Sequence, residues 1–150
     1  MGEKLIYKLQ YRSIRRYCGD VLGLEVIEKS NQVSQALLLE RRIIINGNLK
    51  REHKLYVLLH EAGHFIIYDS SKYKKRYGYV HKLYGHNPGK FGERCCTLEE
   101  EYAAWWKGYR LSEEAGIKIS RERYERYKQK QLRGYIRWSI DKDRKRWRDG

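Results

Sequence analysis

The spacing of apolar residues from Leu49 to Tyr68 is the clearest structural signal in the chain. A core stripe recurs at intervals of three and four residues, which is typical of one face of an α-helix. Its members are Leu55, Leu58, Leu59, Ala62 and Ile66. A second face carries Val57, His60, Glu61 and His64. The pattern therefore predicts one helix with an apolar core face and a second face that carries the two histidines and Glu61.

Helical spacing also predicts a short amphipathic helix near the start, a helix over residues 98–115 and another over residues 120–140. The apolar positions of the first are Ile6, Leu9, Tyr11, Ile14 and Tyr17. The last helix has a basic face opposite a predicted buried stripe of Tyr124, Tyr127, Leu132, Tyr135 and Ile136. The closing DKDRKRWRDG mixes charges of both signs, so we expect a frayed tail.

Two segments before the long helix, GLEVIEKS and ALLLERRIIIN, are rich in β-branched and aliphatic residues and predict strands. Together the elements predict an α+β fold of zincin-like type. A small N-terminal β-sheet would precede the active-site helix and two further C-terminal helices. A chain of 150 residues is expected to form a single domain, 1–150. Residues 69–96 are expected to form a basic, Tyr-rich loop, and residues 120–150 a basic helix and tail.

Composition separates this chain from disordered and membrane proteins. Hydrophobic residues make up 41% and charged residues 35%, which indicates a folded, soluble protein. No apolar run is long enough to span a bilayer, and the N-terminus lacks a signal peptide. We expect a cytoplasmic protein without membrane association, in a bacterial host if it is phage-encoded. The odd number of cysteines and the absence of CxxC spacing indicate that Cys18, Cys95 and Cys96 are reduced thiols.

The chain is strongly basic. Lys and Arg number 33 against 19 Asp and Glu, giving a formal net charge of +14. This excess favours an anionic partner such as nucleic acid, although a solvated charged surface explains it equally well. Six residues of the loop interleave cations and aromatics that could follow phosphates and stack on bases: Lys72, Tyr73, Lys74, Lys75, Arg76 and Tyr77. A solvated insertion at the mouth of a cleft is the alternative for this segment.

The sequence His60-Glu61-Ala62-Gly63-His64 suggests a catalytic zinc site. Residues four apart lie on one face of a helix, so His60 and His64 can offer ring nitrogens to one metal ion. Glu61 is placed to take a proton from a water that the metal activates. The alternative is a core helix that contains two histidines, but each buried polar group without a partner would cost about 1–3 kcal/mol.

A catalytic zinc needs a third protein ligand, and the segment TLEEEYAAWW is the best source. Thr97 and Glu100 match a capping box, which would occupy Glu100 at the helix start. Glu99 would favour the helix dipole. Glu101 lies on the inward-facing stripe with Leu98, Trp105 and Gly108, so it is the preferred ligand. Glu100 is the next candidate among the acids.

Histidines of the loop compete with Glu101. Ser70 stands where the extended HExxH signature has its third histidine. His86, in GHNPGKF, resembles the third ligand of SprT-like zincins, which lies in a Gly-rich loop. Tyr102, His81 and His86 are candidates to stabilise the oxyanion.

The chain resembles the ImmA/IrrE-type metallopeptidases, especially compact phage and mobile-element versions. The resemblance rests on the strand ending IIIN, the HEAGH helix, and the Glu-x-x-Ala-Trp helix that continues as KGYRLSEEAG. It implies zinc ligands His60, His64 and Glu101, with Glu61 as general base. Family members cleave helix-turn-helix repressors, which implies a DNA-binding repressor as substrate. The chain departs from them in its basic loop and in having no recognisable DNA-binding domain.

The sequence therefore predicts a gluzincin-like zinc endopeptidase that acts on a protein substrate. The alternative is a catalytically weak or inactive zincin fold that binds nucleic acid or regulates a partner. Neither the oligomeric state nor the cleavage site follows from the sequence.

Overall fold

The computed structural model describes residues 2–72 and 91–148. Within them lie four helices and three strands. In chain order these are α1 (Glu3–Asp20), β1 (Glu25–Lys29), β2 (Gln35–Leu37), β3 (Arg42–Asn46), α2 (Arg51–Asp69), α3 (Phe91–Glu114) and α4 (Arg121–Arg148). The expected α+β class, with a small sheet ahead of α2, the helix that carries HEAGH, is confirmed. None of the helices in the described ranges is long and apolar enough to cross a membrane.

The sheet is mixed, in the order β1-β3-β2. β1 runs parallel to β3, with Ile27 opposite Ile44, and β2 runs antiparallel to it, with Ala36 opposite Ile43. β3 is the middle strand. Its Ile43 and Ile45 are fully buried against the helices.

The segment ALLLERRIIIN, predicted to form strand, contributes to two strands, β2 and β3. The chain reverses between β2 and β3, where Arg41 takes a φ of 55°. The Arg41 guanidinium donates hydrogen bonds to Asp69 and to the Leu22 carbonyl, which hold this residue in a backbone conformation that side chains rarely adopt. The polar residues Glu40 and Arg41 interrupt the apolar run at this reversal.

α2 is the central helix, and every residue from Leu55 to Gly63 is buried. It packs mainly against α3, and also against α1 and the sheet. Beyond Gly63, Phe65 and Ile67 are buried, whereas the predicted core residue Ile66 is only half-buried. A helix covered on most sides explains why its apolar letters do not form one clean stripe.

The first helix buries part of its predicted apolar stripe, and Tyr17 of that stripe packs against the core. Tyr11, Ile14 and Cys18 are its buried residues. Ile6 and Leu9, expected in the core, are 40% and 45% exposed. The first turns of α1 carry these two side chains on the solvent side of the fold.

α3 begins at Phe91, seven residues before the predicted start, so residues 91–96 are helical and not part of a loop. Thr97 is therefore inside the helix, where its hydroxyl donates to the Glu93 carbonyl at 3.0 Å. The predicted capping box of Thr97 and Glu100 is wrong. Ser and Thr often bond to the preceding turn in this way, which sequence spacing cannot distinguish from a cap.

α4 continues through the segment predicted as a frayed tail and ends at Arg148. Tyr124 of its predicted stripe is fully buried, but Tyr135 and Ile136 are 37% and 48% exposed. The second half of α4 therefore contributes little to the core. All three cysteines are free thiols: Cys18 is buried, and Cys95 and Cys96 are half-buried.

Candidate metal centre

α2 holds the two histidines and the glutamate of HEAGH inside the fold. His60 and Glu61 are only 8% and 7% exposed. The His60 and His64 rings lie on the same side of the helix, with centroids 4.7 Å apart. Two imidazoles therefore converge on one point, as their spacing of four residues requires.

α3 brings a carboxylate to the same point. Glu101, 8% exposed, places Oε2 2.9 Å from His60 Nε2 and Oε1 3.4 Å from His64 Nε2. The two histidine Nε2 atoms are 3.1 Å apart. Among the described residues, His60, His64 and Glu101 are the group that could hold a metal ion.

These separations fit the geometry of a zinc ion. Tetrahedral ligands at about 2.0–2.1 Å from zinc lie about 3.3 Å from one another. The contacts among the three side chains, 2.9, 3.1 and 3.4 Å, are close to that value, although the 2.9 and 3.4 Å contacts are made by different oxygens of Glu101. Three protein ligands also leave the fourth position for water or substrate, the arrangement of catalytic rather than structural zinc sites.

The Glu-x-x-Ala-Trp segment of α3 has a physical explanation at this site. Glu101 joins the ligand group, and Trp105 stacks on the His60 ring at a centroid distance of 4.2 Å and an angle of 3°. Trp105 is in turn held by Tyr124, whose hydroxyl donates to the Trp105 carbonyl at 2.6 Å. The indole therefore fixes the plane of the first imidazole.

Two glycines let α2 and α3 approach closely enough to bring Glu101 to the two histidines. A Cβ at Gly63 would lie 2.0 Å from the Ala104 carbonyl oxygen, and one at Gly108 would lie 2.3 Å from the Leu59 carbonyl oxygen. The two contacts pair residue 63 with 104 and residue 59 with 108, so the helices run antiparallel. We call this pair of contacts the glycine crossing. It sets the register that places Glu101 opposite the histidines.

Glu61 lies beside the ligand group without belonging to it. Its Oε1 is 3.6 Å from His60 Nδ1. Burial raises the pKa of the Glu61 carboxyl, and the negative charge of Glu101 raises it further. The two histidines and a hydrogen bond from the Ala36 backbone in β2 lower it, but the pKa remains above its ordinary value. A carboxyl whose pKa is raised is a stronger proton acceptor than an ordinary one, which suits a general base.

Electrostatics prepare Glu101 to act as a ligand. Burial alone would raise its pKa, but hydrogen bonds with His60 and His64 outweigh that effect and hold the pKa at about 2. Burial likewise lowers the pKa of His64 by itself, and the Glu101 carboxylate raises it above the usual value. Without a metal ion, a proton therefore stabilises this cluster, and metal binding would displace it.

The site includes one residue that sequence reasoning missed. Although the Tyr135 residue is 37% exposed as a whole, its phenol is partly shielded from water, which raises the pKa. The Glu101 and Glu61 carboxylates raise that pKa further, Glu101 also through a hydrogen bond. The phenol therefore remains a hydrogen-bond donor at neutral pH. Its position on the apolar stripe of α4 suggested only a core residue, and nothing in the local sequence marked it as part of the site.

The other candidates lie apart from the ligand group or outside the described residues. Glu100 approaches His64 Nδ1 at 4.0 Å, on the side of the ring away from the other ligands. Tyr102 is 59% exposed, and its ring faces Lys128 Nζ at 4.8 Å. Lys72 is exposed. The remaining predicted residues lie outside the described ranges: Tyr73, Lys74, Lys75, Arg76, Tyr77, His81 and His86.

No family model matches the chain, and no curated protein or solved structure matches it. The resemblance to the ImmA/IrrE-type metallopeptidases and the zincin-like fold therefore remain predictions from the motifs. The geometry of the ligand group stands independently of them.

Proposed function

We propose that this protein is a zinc-dependent endopeptidase. The observation that carries the proposal is the buried group of His60, His64 and Glu101, with separations that suit a tetrahedral ion and with the free carboxyl of Glu61 next to it. A purely structural site would have no need for an additional buried acid at this position.

Each residue has a distinct role in the proposed hydrolysis. Zinc, when bound, would supply a Lewis acid and lower the pKa of water towards about 7. Glu61 would accept the proton of the attacking water and deliver it to the departing amine. Tyr135 would donate a hydrogen bond, either to Glu101, which orients that ligand, or to the negative charge that develops on the scissile carbonyl oxygen.

The proposed substrate is a protein, and the resemblance to the ImmA/IrrE family favours a helix-turn-helix repressor. The basic charge of the enzyme is consistent with a substrate or a neighbouring partner that carries negative charge. Identification of the cleaved protein is therefore part of the test.

Metal analysis and a search for new N-termini test the proposal. Wild-type protein should contain one zinc per chain and generate new N-termini in a bacterial lysate, and chelation should abolish both. Glu61→Gln should keep its zinc and lose about 100- to 10,000-fold in cleavage rate. Glu101→Ala should lose both zinc and activity. Cleavage that persists in Glu61→Gln would contradict the proposal.

The second candidate, an inactive zincin-type protein that binds nucleic acid or regulates a partner, is favoured by the formal charge of +14. It makes the opposite prediction for the same variants. Binding would survive loss of Glu61 and would fall steeply with salt, because counterions are released when phosphates are neutralised. No new N-termini would then appear.

A further inference from the structure

A line of cations on α1 has no partner within the described part of the fold. Lys4, Lys8, Arg12 and Arg16 recur every four residues, so neighbouring members are about 6 Å apart along the axis and the four span about 18 Å. Three of the four are exposed and Lys8 is half-buried. Each step also turns about 40° around the axis, so the line winds from the edge of the buried face formed by Tyr11, Ile14 and Cys18 towards the solvent side. We call these four residues the basic ridge.

The start of α2 extends this charge. Lys50 and Arg51 join Lys4 and Lys8 in lining one groove of about 850 Å³. Five cations and two acids line the groove, and both acids already form ion pairs with one of the cations. The Arg123 guanidinium pairs with Glu3 and with Glu52, the latter at 2.7 Å. The groove therefore keeps an excess of positive charge.

The ridge works against the stability of its own helix. Like charges four residues apart on a helix repel one another, and the ridge contains three such pairs. α4 shows the usual solution, because Arg126 pairs with Glu122 and Lys128 pairs with Glu125. No described ion pair relieves the ridge. A bound polyanion would remove the repulsion that folding leaves in place.

The partner that best suits the ridge is nucleic acid. A helix that lies on a membrane inserts a continuous apolar face into the lipid, whereas the apolar face of α1 is already used in the core. Only Leu5, Ile6 and Leu9 remain exposed on its first turns. One strand of duplex DNA presents a phosphate about every 3.4 Å, so 18 Å of ridge spans about five phosphates.

We propose that the basic ridge, together with Lys50 and Arg51, binds the phosphate backbone of nucleic acid. This surface is separate from the metal centre, because His60 lies ten residues after Lys50, about 15 Å further along the helix axis. It also differs from the loop and the C-terminal helix to which the sequence pattern pointed. Since phosphates are the same along any sequence, the binding does not depend on base sequence.

Fluorescence anisotropy with the full chain and a labelled 20-base-pair duplex of random sequence tests this proposal. With about six phosphates neutralised, affinity should fall about 1,000-fold between 50 and 200 mM salt. The ridge variant carries Lys4→Gln, Lys8→Gln, Arg12→Gln and Arg16→Gln. Its affinity should fall at least 100-fold, and the slope of log affinity against log salt should become shallower by about three to four.

A matched variant keeps the interpretation clear. It removes four scattered, exposed cations: Lys29→Gln, Lys107→Gln, Lys118→Gln and Arg133→Gln. Its affinity should stay within threefold of wild type, although its net charge equals that of the ridge variant. Equal weakening of both variants would overturn the proposal in favour of bulk charge. Absence of duplex binding at 50 mM salt would also overturn it.

Two further arms distinguish other partners. A single-stranded oligonucleotide that binds through the ridge supports the proposal, because it carries the same phosphates. Vesicles containing phosphatidylserine that bind through the ridge, with no ridge effect on DNA, would replace nucleic acid by an anionic membrane. Glu61→Gln should bind DNA with wild-type affinity, so the DNA-binding proposal can be tested independently of the peptidase proposal.

Discussion

Replacement of Gly63 by alanine is the sharpest test of how the metal centre is assembled. The new Cβ would lie 2.0 Å from the Ala104 carbonyl oxygen and 2.8 Å from its carbon. Carbon and oxygen normally approach no closer than about 3.3 Å, so α3 must move by about 1.3 Å. Metal sites tolerate errors of only about 0.2 Å in ligand position. The same displacement carries Glu101 away from the histidines.

The expected cost has two parts of opposite sign. Overpacking typically costs about 1–3 kcal/mol and more where the obstacle is backbone, whereas alanine favours a helix over glycine by about 1 kcal/mol. We expect a net loss of about 2 kcal/mol or more, measured by urea unfolding of chelated protein. Zinc affinity, measured against a competing chelator dye, should fall at least 10-fold.

Gly134→Ala is the matched control, since no described atom lies within 4 Å of the added Cβ. It should be neutral or more stable by up to about 1 kcal/mol, with unchanged zinc affinity. If Gly63→Ala unfolded at the wild-type urea concentration and bound zinc with wild-type affinity, the role assigned to the glycine crossing would be refuted.

Three further predictions concern the surroundings of the site. Trp105→Leu should lower the free energy of unfolding in urea by about 2–4 kcal/mol. It should also lower zinc affinity about 10-fold or more, because the His60 imidazole loses the ring that it stacks on; unchanged zinc affinity would argue against that role. Burial alone would raise the pKa of Glu28, but the hydrogen bond from Lys54 lowers it below the usual value. The ionised Glu28 therefore stabilises the folded state above its unfolded pKa, and this stabilisation is lost as pH falls through the lower folded pKa. Lys54→Met should make the free energy of unfolding depend less on pH below about pH 4.5. Burial raises the pKa of Cys18 to about 12, so this thiol should react with a thiol reagent at pH 8 only in urea. Half-buried Cys95 should react without urea, and mass spectrometry of the labelled peptides would show the difference.

The sequence was most informative where chemistry and helical spacing coincide. Two histidines four residues apart must share a helix face, so their convergence followed directly from HEAGH. The choice of Glu101 over Glu100 rested on two arguments: the inward-facing stripe, with which the structure agrees, and a capping box for Glu100, which does not form. Glu101 therefore lies with the histidines as predicted, although one of the two reasons was wrong. Both inferences depend only on helix geometry, which is local.

Long-range contacts were not accessible in the same way. The stacking of Trp105 on His60 and the approach of Tyr135 to Glu101 join positions 45 and 34 residues apart, and no local pattern encodes such pairs. Helix starts were equally hidden. Thr97 and Glu100 have the spacing of a cap, but the chain is already helical before them. The Thr97 hydroxyl donates to a carbonyl of the preceding turn instead of capping a helix start.

The glycine crossing also bears on how distant relatives of this chain can be recognised. Gly63 and Gly108 each face the backbone of the opposite helix, so a larger side chain at either position would require that helix to move. Relatives that retain the candidate metal centre should therefore share a combined fingerprint, HExGH in one helix and Glu-x-x-Ala-x-x-x-Gly in the other, even where the rest of the chain has diverged. A search with both halves together would find homologues that overall similarity overlooks.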